Sequence, residues 1–86
     1  MKTHELKSHP VNFAPLFDGR KKCEIRYFPD RKFEVGDELL VREWIPAYPD
    51  GSGGVYTGRS VRRRITYADY WRQELYMVAL SLEAIE

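Results

Sequence analysis

The segment Glu38-Leu39-Leu40-Val41-Arg42-Glu43-Trp44-Ile45 constrains the fold more than any other. Side chains alternate faces along a strand. Leu39, Val41, Glu43 and Ile45 therefore share one face, and Glu38, Leu40, Arg42 and Trp44 the other. Both faces carry apolar residues, so this strand is expected at the centre of a sheet and largely covered. A chain of 86 residues makes one small domain with a modest core. Its hydrophobic share of 43% and aromatic share of 14% supply that core and argue against disorder.

The remaining segments are arranged around this strand. Residues 3–7 read as a short first strand of thin apolar content. From His9 to Asp18, the spacing of Val11, Phe13, Leu16 and Phe17 suits one side of a short helix. With Asn12 as N-cap, Pro15 falls in the first turn, and Gly19 stops the helix. Lys22 to Phe28 is a second strand, broken by Pro29-Asp30, and Val35-Gly36-Asp37 is a turn. Pro46 to Gly54 is a long, mobile hairpin loop. Val55 to Tyr67 is a strand in which Gly58 marks a bend or bulge. Residues 68–74 form a helical-turn connector to a last strand, Leu75 to Glu83, with Tyr76, Val78, Leu80 and Leu82 on one face. The order β, α, then a run of β predicts an α+β, mainly β domain over residues 1–86, built as a compact mixed barrel.

Composition narrows function by exclusion. The formal charge of +1, from 14 basic and 13 acidic residues, excludes nucleic-acid binding by bulk electrostatics and leaves a local patch. The single cysteine allows no internal disulfide, and Cys23 is expected as a small core residue in a reducing compartment. With His4 and His9 well separated, no structural zinc set is present, and neither metal nor cofactor is expected. No signal peptide or membrane-length apolar run is visible, so the expectation is a soluble, cytoplasmic protein.

The chemistry concentrates in Gly19-Arg20-Lys21-Lys22-Cys23-Glu24-Ile25-Arg26. Alternation places Cys23, Ile25 and Tyr27 on one face and Lys22, Glu24 and Arg26 on the other, with Lys21 at the mouth of the turn. Lys21 suits a base of lowered pKa or a phosphate contact. Glu24 suits acceptance of hydrogen bonds from a base's amino group, or general-base work, and Arg26 a fork onto phosphate or carboxylate. The plainer alternative is a solvated turn lysine beside a surface ion pair of little energetic worth.

Other candidates lie further along. In Arg59-Ser60-Val61-Arg62-Arg63-Arg64, Arg62 and Arg64 share a face, as a phosphate-contacting stripe or as solvated edge protection. Arg63, on the face of Val61 and Ile65, either pairs with an acid such as Glu43 or marks a bulge. Tyr48 in the loop is the candidate for stacking a base, whereas Trp44 and Tyr67 are assigned to the core. His4 ranks below the charged trio as a residue that reaches the site.

The run Gly19-x-Lys21-x-x-Glu24-x-Arg26 after a short helix resembles the signature of the ASCH superfamily, small PUA-like β-barrels. The opening Thr3-His4-Glu5-Leu6-Lys7, the strand Val35 to Glu43, the corner Tyr56-Thr57-Gly58-Arg59 and the strand Tyr76 to Leu80 resemble an uncharacterised bacterial and phage branch. The resemblance covers nearly the whole chain. It implies a module that binds RNA or a modified nucleoside or nucleotide in a charged cleft, with Lys21, Glu24, Arg26, Arg62, Arg64 and Tyr48 as binding residues. One small ASCH enzyme group hydrolyses acetylated cytidine with a lysine and a threonine of this motif and a glutamate in an insert. Here Lys21 matches the lysine, Glu24 stands at the threonine position, and the insert is lacking. The expectation is therefore non-catalytic binding. The alternatives are a small amidohydrolase acting on an acylated nucleoside through Lys21 and Glu24, and a protein-interaction or phage accessory domain.

Overall fold

A computed structural model describes residues 1–27, 31–72 and 75–85. The elements run β1 (Thr3–Ser8), α1 (Pro10–Phe17), β2 (Cys23–Tyr27), β3 (Glu38–Pro46), β4 (Gly54–Arg72) and β5 (Met77–Ala84). The segment expected to be central is central: the sheet order is β1-β3-β4-β5-β2. β1 joins β3 in parallel, and the other pairings are antiparallel. The five strands curl into a half-barrel with one short helix, consistent with the mainly β, barrel-like expectation. The two edge strands, β1 and β2, come from the first third of the chain.

Apolar residues on the concave face make the core. Leu39 and Val41 of β3, Ile65 of β4, and Val78, Leu80 and Leu82 of β5 pack with Leu6, Phe33 and the α1 residues Phe13 and Leu16. Each such burial contributes about 1.5–3 kcal/mol before the entropy cost of folding. Arg63 fastens α1 at its C-terminal end, donating from Nη2 to the Leu16 carbonyl at 2.9 Å. It neither pairs with Glu43 nor marks a bulge, because a helix end leaves carbonyls that need donors. Ahead of β3, the Asp37 carboxylate accepts from His4 Nε2 at 2.8 Å and from the N–H groups of Lys2 and Glu34. His4 is thus a buried anchor of β1 rather than a site residue.

Several boundaries differ from expectation. The helix starts at Pro10 with His9 as N-cap, and Pro15 lies inside it. Proline at the first helical position is pre-organised, which moves the start upstream of Asn12. β4 continues to Arg72, so residues 68–72 are strand rather than a helical turn; Ala68 and Tyr70 pack against the core. The β3–β4 register breaks between Arg42 and Trp44, where Glu43 and Trp44 are both buried and Ile45 is exposed. The bulge is on β4: Thr57, Gly58 and Arg59 face the single residue Glu43, so the irregularity expected at Gly58 is present, with φ of 96°. Tyr67 is exposed rather than core, because β4 slips register between Ile65 and Tyr67. Tyr76 is also exposed, at a positive φ ahead of β5. Phe28, Pro29-Asp30 and Gln73-Glu74, to which a strand end, a break and part of a connector were assigned, lie outside the described residues.

The largest correction concerns β2. Cys23, Ile25 and Tyr27 are exposed, and Glu24 is buried at 3% exposure. The alternation is as read, but the faces are inverted, and Cys23 is not a core residue. β2 is an edge strand whose inner face ends at a polar pocket, so its charged residues turn inward.

Candidate functional site

Residue geometry on β2 brings the trio together. Glu24 and Arg26 are two apart on one strand and share the concave face, opposite the buried Leu80 and Val78 of β5. Gly19, at φ of 89°, makes the turn that returns the chain from α1 toward β2. The Lys21 N–H donates to the Pro15 carbonyl at 2.9 Å, which fixes this turn against the helix. Lys21 Nζ then lies 3.0 Å from Glu24 Oε1, and Arg26 Nε donates to Glu24 Oε2 at 2.7 Å. A guanidinium bond to carboxylate is charge-assisted and short, as here.

The two oxygens of Glu24 are not equivalent. Oε2 holds the Arg26 hydrogen bond. Oε1 is buried and ion-paired with the Lys21 ammonium at 3.0 Å.

The trio faces a pocket of about 400 Å³. Lys7 and Ser8 of β1 and His9 and Asn12 at the start of α1 form the opposite wall. The pocket therefore fills the open seam of the half-barrel, between the two edge strands. Arg26 spans that seam, donating from Nη1 to the Lys7 carbonyl at 3.2 Å. Cys23 and Ile25 also line the pocket.

The structure brings together Lys21, Glu24 and Arg26 and keeps the other predicted residues apart. Arg62 and Arg64 lie on the opposite face of the sheet from the core and pair with Glu38 at 3.1 and 3.8 Å. Tyr48 is exposed in the loop and does not line the pocket. Sequence reasoning missed Lys7, Ser8, His9 and Asn12. No local signal marks them: they reach the pocket because β1 pairs with β3 thirty-five residues later.

A second ionic cluster is a clamp. Arg59 donates to both oxygens of the buried Glu43, from Nε at 2.9 Å and Nη2 at 2.8 Å, and Thr57 Oγ1 adds a bond at 2.7 Å. These hydrogen bonds hold the Glu43 carboxyl below its ordinary pKa and raise that of Arg59. The Arg59 guanidinium also covers the rings of Phe13 and Phe17, so the cluster ties α1 to the sheet. Beside it, Lys7 Nζ stands 4.6 Å from the Trp44 ring. Among the described residues no cluster of His, Cys, Asp or Glu could hold a metal ion, and no helix is long and apolar enough to cross a membrane.

Fold and pocket define a small, mainly β domain whose curled sheet leaves a charged pocket at its open edge. The chain belongs to the family described as a domain of unknown function, DUF3850, whose sequence profile matches residues 3–81. It is 42% identical over 65 residues to an uncharacterised 12.9 kDa protein in the GpA 3′ region of Escherichia phage P2. That stretch is 76% of this chain and 52% of the phage protein, so the chain spans about half the length of its relative.

Proposed function

We propose that the seam pocket binds RNA or a nucleotide without chemical change to it. The observation that carries this reading is the convergence of Lys21, Glu24 and Arg26 on the wall of one pocket. An amino or imino N–H at a base edge is a donor that the Glu24 carboxylate can accept from. Lys7, Lys21 and Arg26 line the same pocket and match backbone phosphate. Its volume of about 400 Å³ falls in the range of small-molecule sites, roughly 300–1,000 Å³. The resemblance of Gly19-x-Lys21-x-x-Glu24-x-Arg26 to ASCH and PUA-like domains supports the same class of ligand. Against hydrolysis of an acylated nucleoside by Lys21 and Glu24, the carboxylate is already engaged by two cations, an arrangement suited to holding a ligand more than to moving a proton.

Fluorescence anisotropy with short single-stranded RNAs and with nucleotides tests the proposal. Binding is expected at low salt and weakens steeply as salt is added. Lys21→Ala is expected to lower affinity about tenfold with the fold intact by circular dichroism. Glu24→Gln, which replaces an acceptor-only group by one that also donates, is expected to change base preference. Absence of binding to any RNA or nucleotide at low salt would falsify the reading.

A protein partner is the second reading, favoured by one observation. Ile25, Tyr27, Tyr67 and Tyr76 are exposed on and beside the strands β2, β4 and β5. Capture of a partner that survives nuclease treatment, with no RNA binding by the purified protein, would select it.

A further inference from the structure

A second hollow adjoins the seam pocket, with a volume of about 340 Å³. Lys21, Lys22 and Arg63 line it, together with Gly19, Leu82 and one acid, Glu83. Lys21 lines both hollows. Among the described residues, Arg26 pairs with Glu24, Arg42 with Glu5, Arg59 with Glu43, and Arg62 and Arg64 share Glu38. Lys22 and Arg63 have no ion-pair partner among the described residues. The Arg63 guanidinium is nonetheless fixed, because Nη2 donates to the Leu16 carbonyl and Nη1 to the Arg62 carbonyl at 2.9 and 2.8 Å. A guanidinium held in place without a carboxylate, with two lysines beside a space that can accept a small group, suits an anion.

We propose that this hollow is the phosphate subsite of the ligand bound in the seam pocket, and that it takes a terminal phosphate monoester. The inference rests on the nucleotide-binding reading above and goes beyond it in naming where the phosphate sits. A monoester carries close to two negative charges and three strong acceptor oxygens. Lys21, Lys22 and Arg63 supply three donors of matching charge, whereas an internal phosphodiester carries one charge and two chain connections that the hollow must accommodate. Lys21 links the two subsites. Its ammonium is ion-paired with Glu24 Oε1 at 3.0 Å, and a phosphate in the second hollow competes with that carboxylate for it. When Lys21 turns to the phosphate, Oε1 is left for a donor on the base. The phosphate end and the base end of the ligand thereby favour one another.

The test follows backbone amide signals by NMR at constant ionic strength, with three probes: inorganic phosphate, a short single-stranded RNA bearing a 5′-phosphate, and the same RNA with a 5′-hydroxyl. Inorganic phosphate is expected to shift Gly19, Lys22 and Ala84. The 5′-phosphate is expected to tighten RNA binding about fivefold or more. Lys22→Ala is expected to remove that gain, Glu83→Gln to enlarge it, and Arg62→Ala, on the other face, to leave it unchanged. Lys22 is exposed and Arg63 is avoided as a variant because it caps α1. Equal affinity for the two RNAs, or equal weakening of both by Lys22→Ala, overturns the subsite while leaving RNA binding in place. If neither RNA binds, the proposed function fails. The phosphate probe then decides the hollow alone: shifts there uphold an anion site, and their absence overturns it.

Discussion

Three buried carboxylates, Glu24, Asp37 and Glu43, carry most of the residue-level logic. Each has its own solution to the cost of a charge out of water. Asp37 shows the balance best. Burial pushes its pKa up, but the bonds from His4 and from the Lys2 and Glu34 N–H groups outweigh burial and leave it below the ordinary value. A carboxyl whose folded pKa is depressed adds stability above its unfolded pKa, near 4, and loses it as pH falls through the folded value. Urea midpoints are therefore expected to drop below pH of about 4, with a shallower drop in Asp37→Asn. Glu43 adds in the same direction through Arg59 and Thr57. Glu43→Gln is expected to lower the melting temperature and to speed amide exchange in residues 10–17, because the bidentate grip on Arg59 and its cover of Phe13 and Phe17 both loosen. A melting curve and exchange pattern identical to the parent's would show that the clamp does not hold α1. The convergence of Lys21, Glu24 and Arg26 was legible from alternation. Arg63 was not, since its target is a main-chain carbonyl forty-seven residues earlier, and no side-chain pattern encodes that.

Among the elements, β3 was the most legible because its apolar residues serve both faces. β2 was the least, because polarity identifies the solvent face only where the inner face meets a core. At the open edge of the half-barrel the inner face meets a pocket, and the rule reverses. The bulge at Gly58 could be placed, but not its consequence: it sets Thr57 and Arg59 on the same carboxylate, beside the buried Trp44. Trp44 then packs under the start of β4, where a Cβ on Gly54 would lie 2.2 Å from its Cζ2. Gly54→Ala is expected to destabilise the domain severely, because its Cβ would also lie 2.7 Å from the Ile45 carbonyl oxygen, a main-chain atom. At Gly58 a Cβ meets nothing within 4 Å, so Gly58→Ala meets only the cost of its positive φ, about 1–2 kcal/mol. Urea denaturation of the two variants checks the order, and equal losses would contradict it. In the core itself, Leu39→Ala is expected to cost about 2–5 kcal/mol, since Leu39 is fully buried on the central strand.

For the whole molecule, the decisive property is an unclosed sheet. No backbone pairing joins β1 to β2 among the described residues, and Arg26 reaches across with one hydrogen bond to the Lys7 carbonyl. Arg26→Ala is expected to raise amide exchange along residues 3–8 and 23–27 while β3, β4 and β5 keep their protection. Uniform protection in that variant would mean that the seam is held by other contacts. The same arrangement separates where the pocket is written from where it is made. Every residue lining it falls between Lys7 and Arg26, a single short stretch of sequence. Yet β1 is placed by β3, and β2 by β5, at the far end of the chain. During synthesis the lining residues of the pocket emerge before β5, on which β2 is placed. A chain cut before Met77 would contain the complete set of lining residues and no pocket for them to line.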